Sequence, residues 1–271
     1  MTKNFLINGS SEKGLNPFDR GLAYGDGVFR TFLVKNGCPL LWMHHFSKLS
    51  HDLNTINIPS PKENLLLKDI SLLFPSSGSF VGKIIITRGV SERGYSYPDN
   101  IKPSRILLKS KYNRIPKTLY ETGVTLEVCN TRVSNDHDIN GIKHLSRFDN
   151  VKAKLELSLS AFDGIMLDQE GLINECITSS IFCRYGDILI TSNHSRGGVY
   201  GATKAIVASK VKQLGLKMKY LNLSLKELKK ADEIVITNSL FGALQVTKIN
   251  NSSWKVFDLS KKINCLFNEE N

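Results

Sequence analysis

Lys143 lies in Gly141-Ile-Lys-His-Leu-Ser-Arg-Phe-Asp-Asn150, after the polar run Ser134-Asn-Asp-His-Asp138. Downstream, Phe148, Val151, Leu155 and Leu159 recur three or four apart, as on one face of a helix. The lysine therefore sits where a loop or short strand gives way to a helix. An amine there is either a solvated surface group or a group held for nucleophilic chemistry. Glu175 ends a predicted hairpin strand beside Cys176-Ile-Thr-Ser-Ser-Ile-Phe182, a stretch of mostly apolar or hydroxyl residues. Alone it reads as an exposed strand-end acid. Gly201-Ala202-Thr203 opens a predicted helix. Free backbone N–H groups with a hydroxyl make a ready phosphate site, and equally an ordinary helix start. Thr237-Asn238-Ser239 closes a buried strand, where small polar groups can meet a ligand.

Secondary-structure signals give these residues their places. Asn-Gly turns follow the strand patterns of "NFLING" and "GVFRTFLVKNG". Trp42, Phe46, Leu49, Leu53 and Ile56 predict a helix over 42–56, and a weaker one spans 61–73. "FVGKIIITRG" and "SRILLKS" read as strands. The polar, irregular "KYNRIPKTLYETG" predicts a linker near 110–121, dividing the chain into domains of residues 1–115 and 116–271. Beyond it come the strand "VTLEVC", a polar loop at 134–141, and two hairpins, "DGIMLDQEGLINE" and "SIFCRYGDILIT". "GATKAIVASKVKQLG" is a helix stopped by Gly215, and Ser224 to Glu227 is a capping box. "ADEIVIT" is a buried strand and 255–267 a last helix. The fold class is α+β in two domains. No glycine fingerprint follows a strand, so a dinucleotide fold is not expected.

The composition narrows the function classes. The 271 residues are 41% hydrophobic, enough for a real core, and the longest apolar runs are strand-sized. The start, "MTKNFLING", has no signal-peptide character. Five cysteines without a CxxC predict neither a disulfide framework nor a zinc site, and fit the cytoplasm. No metal is expected, because His44-His45 is the one close histidine pair and its side chains diverge on a helix. The net charge of +11 is spread along the chain, with no block of five or six. That suits small anionic ligands, while a basic nucleic-acid-binding protein is the reading from outside the enzyme classes.

A lysine, a carboxylate and a phosphate cup are together what pyridoxal 5'-phosphate needs. At these residues the chain also resembles the fold-type IV pyridoxal-phosphate enzymes. These include branched-chain aminotransferases, D-amino-acid transaminases and 4-amino-4-deoxychorismate lyases. The likeness runs through "FLINGS", "FDRGLAYGDGVFRTF", "LLWMHHFSKLSHDL", "ITRGVSERGYS", "GIKHLSRFDNVKAKLEL", "DGIMLDQEGLINECITSSIF", "VYGATKAIV" and "ADEIVITNSL". It implies that Lys143 is the catalytic Schiff-base lysine and Glu175 the partner of the pyridine nitrogen. Gly201, Ala202, Thr203 and Ser239 would contact the phosphate. It further implies a small N-terminal α+β domain, a larger C-terminal pseudo-barrel domain with the cofactor between them, and a homodimer. "KHLSR" and "RGYS" look like the lyase branch. Phe148 replaces the tyrosine of branched-chain aminotransferases and leaves D-amino-acid transaminases open.

Three departures stand out. Lys48 in "HHFSKL" occupies the place of a phosphate-gripping arginine. Arg30 in "GVFRT" replaces a glutamate, and Ser180 an asparagine. The expected activity is conversion of 4-amino-4-deoxychorismate to 4-aminobenzoate and pyruvate. The alternative is a transaminase on the same scaffold. Arg30, Arg93, Tyr95 and Arg105 are candidates to bind the substrate's carboxylates, with Arg30 pointing either at substrate or at solvent.

Overall fold

The computed structural model describes residues 4–134, 137–193, 195 and 197–270, with two compact units. The expected polar loop at 134–141 lies partly outside the described residues. The first unit is Met1–Asn113 together with Ile142–Ser146, and the second is Arg114–Gly141 with Arg147–Asn271. The short excursion of 142–146 carries Lys143 into the first unit. The single division expected from the sequence has no such return.

In the first unit the elements are β1 (Phe5–Ile7), α1 (Arg20–Tyr24), β2 (Gly27–Lys35), β3 (Cys38–Pro39), α2 (Trp42–Thr55), α3 (Glu63–Leu73), β4 (Ser79–Thr87) and β5 (Ser104–Lys111). The five strands form one antiparallel sheet in the order β1-β5-β4-β2-β3. Asn36 and Gly37 both take positive φ, 51° and 81°. That is the turn which turns β2 tightly into β3. Along β2, Val28, Arg30, Phe32 and Val34 are buried while the intervening residues are less so. The period of two thus sends an arginine inward with the apolar set. On α2 the buried residues are His45, Leu49, Asp52 and Leu53, one face at spacings of three and four.

The second unit contains α4 (Lys117–Thr122), β6 (Val124–Arg132), α5 (Phe148–Glu156), β7 (Asp163–Leu167), β8 (Ile173–Cys176), β9 (Ser180–Tyr185), β10 (Ile188–Thr191), α6 (Ala202–Lys210), β11 (Lys217–Tyr220), α7 (Leu225–Leu228), β12 (Glu233–Asn238), β13 (Gly242–Ile249), β14 (Ser252–Ser253) and α8 (Leu259–Asn268). Its sheet runs β11-β10-β9-β12-β13-β6-β7-β8, with β14 beside β13. The far strands come back toward each other. Ile173 N–H, on β8, donates to Leu223 O at 2.7 Å, just past β11, and Leu172 bridges Ser224. This closes the sheet partway, the pseudo-barrel the resemblance implied. Two parallel crossovers, β6-α5-β7 and β10-α6-β11, join the expected hairpins. The core between sheet and helices holds Leu126, Ile165, Ile181, Ile234, Ile236, Leu244 and Val246, all at most 2% exposed.

The change from the first unit to the second, after Asn113, falls within the stretch expected as a linker near 110–121, which also carries a short helix. Its α4 packs Leu119 and Tyr120 on the core, and Tyr120 OH donates to Phe241 O at 2.8 Å. The last helix starts at Leu259 instead of 255, where Leu259 N–H finds the Glu233 carboxylate at 3.0 Å. The apolar stripe after Lys143 does share a helix face, but that face looks outward. Phe148, Val151 and Leu155 are 73%, 54% and 82% exposed, whereas Ala153 is fully buried. The small residue lets α5 lie close against β6 and β7.

Candidate active site

Lys143 is half-buried and outside any regular element, and its main chain is fixed at both polar groups. Its carbonyl accepts from Phe29 N–H on β2 at 3.0 Å, and its N–H donates to Asp52 Oδ2 on α2 at 3.1 Å. The ammonium lies 4.8 Å from the centre of the Phe29 ring, a cation–π arrangement. Asp52 is completely buried and also takes the Arg30 guanidinium, while its Oδ1 is 3.3 Å from Lys48 Nζ. Two turns earlier on α2, His45 is 3% exposed, and among the described residues neither ring nitrogen has a hydrogen-bond partner. Burial, then the charges of Arg30, His44 and Lys143, push its pKa down to about 3, so the ring is neutral at physiological pH.

Arg30 therefore does not point out to solvent. It neutralises a buried aspartate. Arg105 behaves alike, pairing with Asp69 of α3. Arg93 and Tyr95 sit exposed on the loop after β4. That loop is tied down from below. Arg20, 5% exposed, donates to the carbonyls of Gly94, Tyr95 and Ser96 at 2.8–3.2 Å and to Asp26 at 2.8 Å. Arg88 shares Asp26, and the pair hold its carboxyl below the usual carboxylate range against the opposing effect of burial.

Lys48 remains mostly buried, and its pKa is lowered chiefly by that burial, with Asp52 opposing. Its charge is thus partly committed to Asp52. Lys48→Ala is expected to weaken pyridoxal-phosphate binding about threefold or less, because its charge is partly committed to Asp52. Fluorescence titration of cofactor-free protein measures this, and a loss of a hundredfold would make Lys48 the principal phosphate anchor.

In the second unit, Glu175 is next to last in β8 with 7% exposure, and its Oε2 accepts from Val199 N–H at 2.8 Å. Gly198 turns the chain here at φ 81°, and a Cβ would sit 2.2 Å from Asn174 Oδ1 and 3.3 Å from the Glu175 carboxyl. Only glycine lets the backbone pass so near the acid. Gly201 follows as the N-cap of α6, with Ala202 and Thr203 in its buried first turn. Their N–H groups lie at a helix start, where no intrahelical acceptor exists. Thr203 Oγ1 is 3.1 Å from Thr237 Oγ1 at the end of β12, and Ser180 Oγ would be 3.9 Å from a Cβ on Gly201. Ser239 is half-buried in the turn after β12. These hydroxyls and N–H groups suit a bound phosphate, and the buried carboxylate suits a protonated ring nitrogen. The residues therefore fit pyridoxal phosphate.

The structure brings Lys143, Lys48, Arg30 and Asp52 together in the first unit, and Glu175, Gly201, Thr203, Ser180 and Thr237 in the second. Sequence reasoning missed Asp52 and His45, although both share the α2 face of Leu49. It also missed Lys204, discussed below. Among the described residues no group of three or more His, Cys, Asp or Glu could hold a metal ion.

Known proteins resemble this chain in sequence and fold. The family described as Amino-transferase class IV matches residues 27–249. Aminodeoxychorismate lyase of Bacillus subtilis (strain 168) is 28% identical over 246 residues, 89% of this chain and 83% of that protein. Aminodeoxychorismate lyase of Vibrio harveyi is 28% identical over 257 residues, 93% of each. The crystal structure of 4-amino-4-deoxychorismate lyase from Pseudomonas aeruginosa aligns with a TM-score of 0.90 and 31% identity, covering 98% of both chains. A match over most of its length, borne by the same fold from end to end, makes this chain a member of the class IV amino-transferase family.

Proposed function

We propose that this protein is an aminodeoxychorismate lyase, which converts 4-amino-4-deoxychorismate to 4-aminobenzoate and pyruvate. The observation that carries the reading is the likeness to the Pseudomonas aeruginosa lyase over 98% of both chains at 31% identity. Pyridoxal phosphate is the cofactor. When bound it supplies an electron sink for the charge left as a carbon–hydrogen bond is broken. In this reading the first turn of α6, with Thr203, Ser239 and the hydroxyls beside them, holds its phosphate. Glu175 keeps its ring nitrogen protonated. The Lys143 amine takes the proton from the substrate carbon bearing nitrogen. The bond from the ring to the enolpyruvyl oxygen then breaks, the ring becomes aromatic, and a proton returned to the departing enol gives pyruvate. Atoms balance without any oxidant. In this reading Arg93 and Tyr95, exposed on the loop after β4, bind the carboxylates of the dianionic substrate.

Pyruvate release from purified protein and 4-amino-4-deoxychorismate, without an amino acceptor, tests the assignment. Turnover that requires a 2-oxo acid would instead make the protein a transaminase. Glu175→Gln is expected to slow the lyase by about 2–4 kcal/mol of barrier while cofactor stays bound, since the amide brings no negative charge to the ring nitrogen. Turnover at the wild-type rate would reduce Glu175 to a strand-end acid.

A second copy of the chain is the partner we propose for the outward face of α5. Phe148, Val151 and Leu155, with Leu159 just beyond, form an exposed apolar stripe of the kind that marks protein interfaces. Leu155→Glu is expected to shift the protein toward monomer in sedimentation velocity. An unchanged sedimentation coefficient would place the interface elsewhere. All five cysteines are free, which supports a cytoplasmic setting, and no described helix is long and apolar enough to cross a membrane.

A further inference from the structure

We propose that Asp52 is a positioning residue for Lys143, acting on its main chain rather than its amine. The inference rests on the reading of Lys143 as the reactive lysine. Lys143 lies outside regular structure, so no helix or ladder partner is prescribed for its N–H. The carboxylate of Asp52 fills that role at 3.1 Å, from a helix otherwise remote in sequence. On the other side the Lys143 carbonyl is held by Phe29 N–H at 3.0 Å. With both polar groups of one peptide segment fixed, the Cα position and the direction of the side chain follow. A side chain of four methylenes can reach many places, and anchoring its root narrows them.

Asp52 is itself held rigidly. It has no exposed surface, and its Oδ2 is shared between the Lys143 N–H and the Arg30 guanidinium, while Oδ1 faces Lys48. A carboxylate has about four lone-pair directions, so one group can serve all three neighbours. Arg30 fixes the rotamer of the residue that does the positioning. The departures at 30 and 48 thereby acquire a common partner. Two cations in place of a glutamate and an arginine leave two more positive charges, of which the buried aspartate offsets one.

Neutralising Arg30 alone would be a purely structural role, and the two can be separated. Removing one partner of a buried ion pair is costly because the other is left uncompensated. The comparison is therefore made in an Arg30→Met background. Arg30→Met with Asp52→Ala lacks the acceptor, and Arg30→Met with Asp52→Asn restores an acceptor oxygen without charge. Each full-length protein is freed of cofactor, incubated with pyridoxal, and trapped with borohydride. Peptide mass spectrometry then gives the rate of modification at Lys143. Pyridoxal has no phosphate, so the cup does not enter. The alanine double variant is expected to react at Lys143 about tenfold more slowly than wild type, and the asparagine double variant within about threefold of it. An alanine variant that reacts at the wild-type rate overturns the proposal. So does an asparagine variant as slow as the alanine one, which would show that only the charge matters. Absence of trapping at Lys143 in the wild type would sink the underlying assignment of the lysine instead.

Discussion

Lys143→Ala is expected to abolish the near-visible absorbance that borohydride bleaches in the cofactor-loaded protein, and to lower turnover by about 10⁴-fold or more. The argument begins with what the substitution leaves alone. The contacts that fix this segment, to Phe29 and to Asp52, are made by the main chain of residue 143. Alanine keeps both, so the fold and the melting temperature should change little. What disappears is the amine that the proposed chemistry uses, with its seat over the Phe29 ring. Of the neighbouring amines in the first unit, Lys48 is engaged with Asp52, while Lys83 Nζ lies 4.6 Å from the centre of the same Phe29 ring and is the one that a trapping experiment must watch. Cofactor can still bind through the cup, more weakly, which an equilibrium dialysis of the variant would record. The decisive outcome is chemical. A variant that still carries a borohydride-reducible chromophore on another lysine would show that Lys143 has been misassigned.

Much of this site was legible in the sequence because local rules place it. Lys143 stands at the mouth of a helix, Glu175 at a strand end and Gly201 at a helix start, as periodicity and turn chemistry predict. Periodicity says which residues share a face and not what covers the face. The stripe Phe148, Val151 and Leu155 shows the limit, because Ala153 on the other side meets the sheet. The role of Arg30 was written more faintly. It has the parity of Val28, Phe32 and Val34 on β2, so alternation alone would have sent it inward. Its partner lies 22 residues away on α2 with His45, Leu49 and Leu53, a face whose one acid needed a cation. A buried charge in one amphipathic element is a reason to look for the opposite charge in the next. The return of residues 142–146 to the first unit had no such signal, because it depends on hydrogen bonds from the main chain of Lys143 and Leu145 to distant elements.

Lys204 was passed over because it lies among surface-like lysines in the sequence, yet it is 1% exposed. Its Nζ donates to Ser192 O at 2.8 Å and Ser192 Oγ at 3.2 Å, and among the described residues no ion pair reaches it. Burial pushes its pKa down from 10.5 to about 7, with the charge of Glu175 opposing. The consequence for stability follows from proton counting. Below pH 7 both the folded and unfolded chains hold the proton, and the cost of burying the charge is present in full. Between pH 7 and about 10 the unfolded chain binds a proton that the folded one has released, so this contribution to stability rises with pH. The size of the rise is about 5 kcal/mol, at 1.36 kcal/mol for each pKa unit. Lys204→Met keeps the unbranched apolar stem and removes the amine. It forfeits the hydrogen bonds to Ser192, which offset roughly 1 kcal/mol of the gain. The variant should therefore be more stable than wild type at pH 6 by a few kcal/mol, and the advantage should vanish or reverse near pH 10. Urea unfolding of both cofactor-free proteins at pH 6, 7.5 and 9 measures the difference, in which titrations common to the two cancel. Stability curves that run parallel across this range would mean that Lys204 keeps its proton in the fold, and the burial of an uncompensated neutral amine would have to be abandoned.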